Sequence, residues 1–144
     1  MFTKRIGFIV FLLLTLGLAA CSGPQDTREA DIIAVKKVME KRAKALQSQD
    51  LQLFSALIYD AYDDGRSTKA SIVAETEAAF KRYKHIKLNY QRSPVEFNMN
   101  TARLIQRISY QLDEQPLIHE REILILRKIN GEWLISAGVI AGLF

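Results

Sequence analysis

Arg127-Lys128-Ile129-Asn130-Gly131-Glu132-Trp133-Leu134-Ile135 is the stretch that decides the fold. An Asn-Gly pair between two strand-like runs is the strongest short hairpin signal, because both residues tolerate positive φ. It predicts a two-residue turn joining a strand of about 118–128 to a last strand of about 132–140, with Trp133, Ile135 and Ala137 on one face. Working back from this turn, the two-residue period persists. Leu104, Ile108, Tyr110 and Leu112 alternate with Arg103, Arg107, Ser109 and Gln111. Val95, Phe97 and Met99 alternate in the same way, as do Ile86, Leu88 and Tyr90 against Lys87, Asn89 and Gln91. Ser93-Pro94 and residues 98–101 supply the turns. The second half of the chain therefore reads as a meander of four to five antiparallel strands.

Ahead of Lys84 the period changes to three or four. Ile32, Val35, Met39, Ala43 and Leu46 form one apolar stripe, while Lys36, Lys37, Glu40, Lys41 and Lys44 lie mostly opposite. That predicts a helix of about 27–48, opened by a capping-box pattern at Asp26 and Glu29. Asp50 is placed to cap a short second helix carrying Leu51, Phe54, Leu57 and Ile58. Tyr59 to Gly65 breaks the period as an irregular or short extended link. Ser67 is expected to cap a third helix of about 68–83, with Ile72, Thr76, Ala79, Phe80 and Tyr83 on its apolar face. Helices segregated from strands mean an α+β domain with the helices on one face of the sheet.

The N-terminus is of another kind. Lys4 and Arg5 precede the apolar run Ile6–Leu16, and Leu18-Ala19-Ala20 lead to Cys21, the one cysteine in the chain. The run from Ile6 to Ala20 falls short of the roughly 20 apolar residues that span a bilayer. These residues resemble a bacterial lipoprotein signal with its lipobox at Leu18-Ala19-Ala20-Cys21. The resemblance implies that residues 1–20 are removed, that Cys21 is lipidated on its sulfur and amino group, and that residues 21–26 tether residues 27–144 to a membrane. It also implies a cell-envelope location. In a diderm source this would be the periplasmic face of the outer membrane, since Ser22 is not the Asp that retains such proteins in the inner membrane. The mature part would then hold no thiol, hence no disulfide, Cys-ligated metal or Cys nucleophile.

Composition narrows the partners. Without the first 20 residues, which carry two basic side chains and no acidic one, 124 residues remain with 18 basic against 16 acidic. So small and scattered an excess argues against nucleic acid. No glycine-rich phosphate loop occurs. His85 and His119 lie far apart without metal-ligand spacing, so neither a metal nor another cofactor is expected.

The long first helix ending near Asp50, the Tyr62-Asp63-Asp64-Gly65 link before a third helix, and the closing 127–135 hairpin together resemble the nuclear transport factor 2-like, cystatin-like superfamily. That resemblance implies a strongly curved sheet and helices enclosing an apolar cone. In some members the cone is an isomerase, dehydratase, epoxide hydrolase or cyclase; in many it only binds. The enzymes need an acid–base carboxylate or histidine in apolar surroundings, often with a tyrosine hydroxyl. The candidates here are Tyr59, Tyr62 and Asp63 near the expected cone mouth, with Asp60 and Asp64 beside them, and Tyr110 on an apolar strand face. Asp113, His119, Glu120 and Glu122 lie on or near neighbouring strands. No catalytic pattern of the superfamily transfers residue by residue, so no catalytic residue is assigned. The expectation is a lipid-anchored binding domain for a small apolar ligand or an envelope protein, with a homodimer through the sheet face as a further expectation. The alternatives are an isomerase-, dehydratase- or hydrolase-type enzyme using a pocket Asp and Tyr, and a structural lipoprotein whose pocket is filled by its own side chains. Trp133 is expected in the core.

Overall fold

A computed structural model describes residues 24–91 and 94–139. The lipobox and the signal before it lie outside the described residues. Three helices, α1 (Pro24–Gln47), α2 (Leu51–Ala56) and α3 (Lys69–Arg82), precede five strands. These are β1 (Ile86–Gln91), β2 (Val95–Asn98), β3 (Thr101–Leu112), β4 (Ile118–Ile129) and β5 (Glu132–Ala137). All the strand pairings are antiparallel, in the order β1-β3-β4-β5. β2 shares with β1 the same long partner: β1 runs beside residues 107–112 of β3 and β2 beside residues 101–104.

The turn at Asn130-Gly131 forms as the sequence predicts. Ile129 pairs with Glu132, and the two turn residues take φ of 51° and 87°. Asp50 caps α2, accepting from the Leu53 N–H at 2.8 Å. Three boundaries differ from expectation, the first being the end of β5, which stops at Ala137 rather than near 140. α1 opens at Pro24 rather than near 27, because proline suits the first helical turn, where its missing N–H is not needed. The cap of α3 is Thr68, not Ser67: Thr68 and Ser71 exchange side-chain and backbone hydrogen bonds as a capping box.

Residues of even number on β3 and β4 face the helices and those of odd number face away, giving β3 a strict buried-then-open alternation. The core lies between the even face and α1, with Val35, Met39, Leu46, Phe54, Ile58, Ile72, Leu104, Leu124, Leu126 and Ile135 all buried. The buried stripe of α1 runs Val35, Val38, Met39, Arg42, Ala45 and Leu46, a rotation from the expected one that leaves Ile32 and Ala43 half-buried. It takes in a charged residue, Arg42, for a reason given below. The link after α2 is tied to the sheet. Tyr59 N–H donates to the Ile135 carbonyl at 2.8 Å and Ile135 N–H to the Leu57 carbonyl at 2.9 Å, a parallel bridge between Ile58 and Ile135.

Candidate functional site

The residues expected at the cone mouth are dispersed by the fold. Tyr62 is buried, with its hydroxyl donating to Asp64 at 2.8 Å and accepting from the Val139 N–H at 3.0 Å. Burial above all, and then the Asp64 carboxylate, push its pKa well above the ordinary tyrosine value. Burial pushes Asp64 up, but donation from the Ser67 and Arg66 N–H groups and the Tyr62 hydroxyl outweighs it, so the carboxyl sits below its usual range. Asp63 is exposed and closes its own turn by accepting from the Gly65 N–H at 2.7 Å. Tyr59 is half-buried and serves the link through its backbone. Tyr62 is thus a staple between the link and the end of β5.

Tyr110 lies elsewhere, on the helix-facing side of β3. It is buried and donates to Glu120 at 3.2 Å. Desolvation, then the Glu120 charge, push its pKa up to about 12. Such a hydroxyl stays protonated near neutral pH and acts as a hydrogen-bond donor rather than a proton shuttle. Asp113 takes the Lys84 and His85 N–H groups at 2.8 and 2.7 Å and so fixes the entry to β1. His85 and His119 are exposed. Trp133 is in the core as expected, its indole N–H donating to Asp31 at 2.9 Å and its ring meeting Phe97 edge-on at 5.6 Å.

The middle of the interior is occupied by a cluster of which sequence reasoning named only Glu122. Arg42 of α1 grips Glu122 of β4 through both nitrogens, Nη1–Oε2 at 3.0 Å and Nη2–Oε1 at 2.6 Å. Gln106 of β3 adds Nε2–Oε2 at 2.7 Å. Arg42 is 1 % exposed, Glu122 0 % and Gln106 2 %. The two-pronged geometry is what makes a buried charge pair tolerable. The signal was present in the sequence: Gln106 and Glu122 occupy inward positions of otherwise apolar alternating runs, and Arg42 lies three and four residues from Met39 and Leu46. Beside this cluster, the cavity between α1 and the sheet, lined by Lys36, Met39, Tyr90, Val95, Leu104 and Gln106 among others, measures about 30 Å³. That is room for a water molecule, not for a ligand.

The larger concavity is on the opposite side of the sheet. It is a groove of about 470 Å³ spanning a three-by-three block of β1, β3 and β4. Tyr90, Ile108 and Glu120, whose side chains belong to the helix-facing row, form its floor. Register places Asn89, Ser109 and His119 in a row along one side, and Gln91, Arg107 and Arg121 along the other. Beyond the arginine row the same face continues with the register pair Ile105 and Ile123, the latter 42 % exposed. No group of three or more potential metal ligands occurs among the described residues. Nor, among them, is any helix long and apolar enough to cross a membrane.

Helices packed on a curved five-stranded antiparallel sheet are an arrangement found among solved structures. The fold is the nuclear transport factor 2-like, cystatin-like one. A conserved protein of Planctomyces limnophilus superposes with a TM-score of 0.69 at 20% identity, covering 77% of this chain and 94% of that one. A candidate dehydratase of the nuclear transport factor 2-like family from Streptomyces avermitilis gives 0.66 at 12% identity, over 78% and 95% of the two chains. A cystatin-like domain of unknown function from Nostoc punctiforme gives 0.65 at 19% identity, over 76% and 75%. No protein-family description matches the chain. No curated protein matches it either. At these identities the likeness establishes the nuclear transport factor 2-like fold and nothing finer.

Proposed function

We propose that this is an envelope lipoprotein, anchored through Cys21, whose domain binds its ligand or partner across the outer face of the sheet and performs no catalysis. One observation carries the reading. The space that would form an interior pocket is filled by the Arg42–Glu122–Gln106 cluster, while the outer face bears a groove more than ten times larger than the inner cavity. The Tyr110–Glu120 pair is the nearest thing to an acid–base couple. Burial, then the Glu120 charge, hold its hydroxyl protonated, so it supports proton transfer poorly. The lipobox residues support the anchor, and Ser22 supports the outer membrane as destination in a diderm cell.

The test is photo-crosslinking in cells with the full chain. A photoreactive residue at Ser109 or Ile123 on the outer face is compared with one at Lys37 on the exposed side of α1. Adducts specific to Ser109 and Ile123 are expected. Equal labelling from all three positions, or none, would defeat the reading; an adduct of twice the chain mass would assign the face to a homodimer.

A further inference from the structure

Arg107 and Arg121 are direct register partners on β3 and β4, and both are exposed on the outer face. Like charges placed opposite each other destabilise a strand pair. Among the described residues, neither guanidinium has an ion-pair or hydrogen-bond partner. The contrast lies four residues back along the same strand. Arg103, which also faces outward, is held by Glu96 at 3.0 Å. The sheet thus supplies a carboxylate where the cation is structural and leaves two guanidinium groups unneutralised at the groove.

The rest of the lining has the same bias. Gln91 completes the arginine row, and Asn89, Ser109 and His119 make up the other. All six side chains can donate hydrogen bonds. Among the described lining residues the one carboxylate, Glu120, accepts the Tyr110 hydroxyl at 3.2 Å. Two guanidinium groups facing each other match a doubly charged oxyanion better than a single carboxylate, because each presents a planar fork to a pair of oxygens. A phosphate monoester carries close to two charges at neutral pH, on three acceptor oxygens.

We propose that this groove is a binding site for a phosphate monoester, clamped between Arg107 and Arg121 with Ser109, Asn89 and His119 as further donors. The proposal rests on the reading of the outer face as the working surface and names its ligand chemistry. The phosphate could belong to a soluble molecule or to a lipid headgroup, and the two arms of the test separate these sources.

The full chain in neutral detergent is titrated calorimetrically with inorganic phosphate and with dihexanoyl phosphatidic acid. Saturable one-site binding is expected, weakened about tenfold or more in Arg107→Gln and in Arg121→Gln and lost in the double variant. Lys87→Gln, which removes an outward cation outside the groove, should change nothing. The melting temperature of each arginine variant should hold or rise, since a like-charge contact is relieved; a purely structural arginine would lower it. Equal binding of both probes assigns the phosphate group itself, and binding of the phosphatidic acid alone assigns a headgroup. Binding that survives the double variant, or acetate binding as tightly as phosphate, overturns the site. If neither probe binds while outer-face crosslinks persist in cells, the phosphate assignment falls and the working face stands; loss of both removes both.

Discussion

Arg42 and Glu122, eighty residues apart in the chain, meet at 2.6 and 3.0 Å in the middle of the core with almost no exposure on either side. Arg42 Nε is left as the one buried side-chain polar atom without a partner among the described residues. Removing one member strands the other's charge. Arg42→Ala or Glu122→Ala should therefore cost about 3–5 kcal/mol in urea unfolding. Replacing the whole cluster, as Arg42→Met with Gln106→Leu and Glu122→Leu, should recover most of that loss, because desolvating the pair costs nearly as much as its attraction returns. A triple variant as unstable as the single ones would show that the cluster is more than a filled interior.

Asp31 ties α1 to the closing hairpin. One carboxylate oxygen accepts from Lys128 Nζ at 2.6 Å and from the Trp133 indole at 2.9 Å. The Lys128 hydrogen bond is the main force holding its pKa below 3.8, with Trp133 adding to it against the opposing effect of burial. A carboxylate whose folded pKa is depressed contributes stability above its unfolded value and loses it as pH falls through the folded one. Asp31→Asn should thus be less stable than the parent at pH 7, and the gap should close below about pH 4. Urea midpoints of both proteins at pH 7 and pH 3 check the sign; a constant gap would mean that the charge on Asp31 is irrelevant.

Two glycines with nearly the same φ should behave differently. A Cβ on Gly131 would meet nothing within 4 Å, so Gly131→Val should cost only the backbone strain, on the order of 1–2 kcal/mol. At Gly138 a Cβ would lie 1.9 Å from the Ile123 carbonyl oxygen, so even Gly138→Ala must displace backbone as well as take up an unfavourable φ. Melting curves should rank Gly138→Ala well below Gly131→Val, although alanine is the smaller residue.

The anchor has its own test. Cys21→Ser should abolish incorporation of labelled palmitate and leave an unprocessed or soluble chain. Labelling that continues in this variant would remove the lipoprotein reading, and fractionation of the parent with the inner membrane alone would contradict the role given to Ser22.

The fold was legible because its signals are local. Asn130-Gly131 fixes one turn by its φ preferences, and the alternation from Ile86 to Ile135 fixes which face of each strand is buried. The cap of α3 was misplaced by one residue because Ser67 and Thr68 are chemically equivalent candidates, and only the reciprocal bond from Ser71 separates them. The proposed binding face was hidden for a different reason. Tyr62, Asp63 and Asp64 looked like a polar mouth, but hydrogen bonds to Val139 and within their own turn make them structural. What fills the interior depends on three polar residues from three elements meeting in space, which no single periodicity reveals. The outer groove is likewise a matter of register: Arg107 and Arg121 are unremarkable in sequence and conspicuous only as cross-strand partners.

The bridge between Ile58 and Ile135 has a consequence for how the chain acquires its shape. It closes a loop across more than half of the chain. So do the ties from Asp31 to Trp133, Arg42 to Glu122 and Tyr62 to Val139. In each case a residue of the first half waits for a partner near the C-terminal end. The core is therefore not completed piecemeal: α1 and the link after α2 lack these partners until β4 and β5 are in place. Such non-local ties slow folding relative to helical domains of this size and make β5, which carries Trp133 and Ile135, a segment on which cooperativity depends.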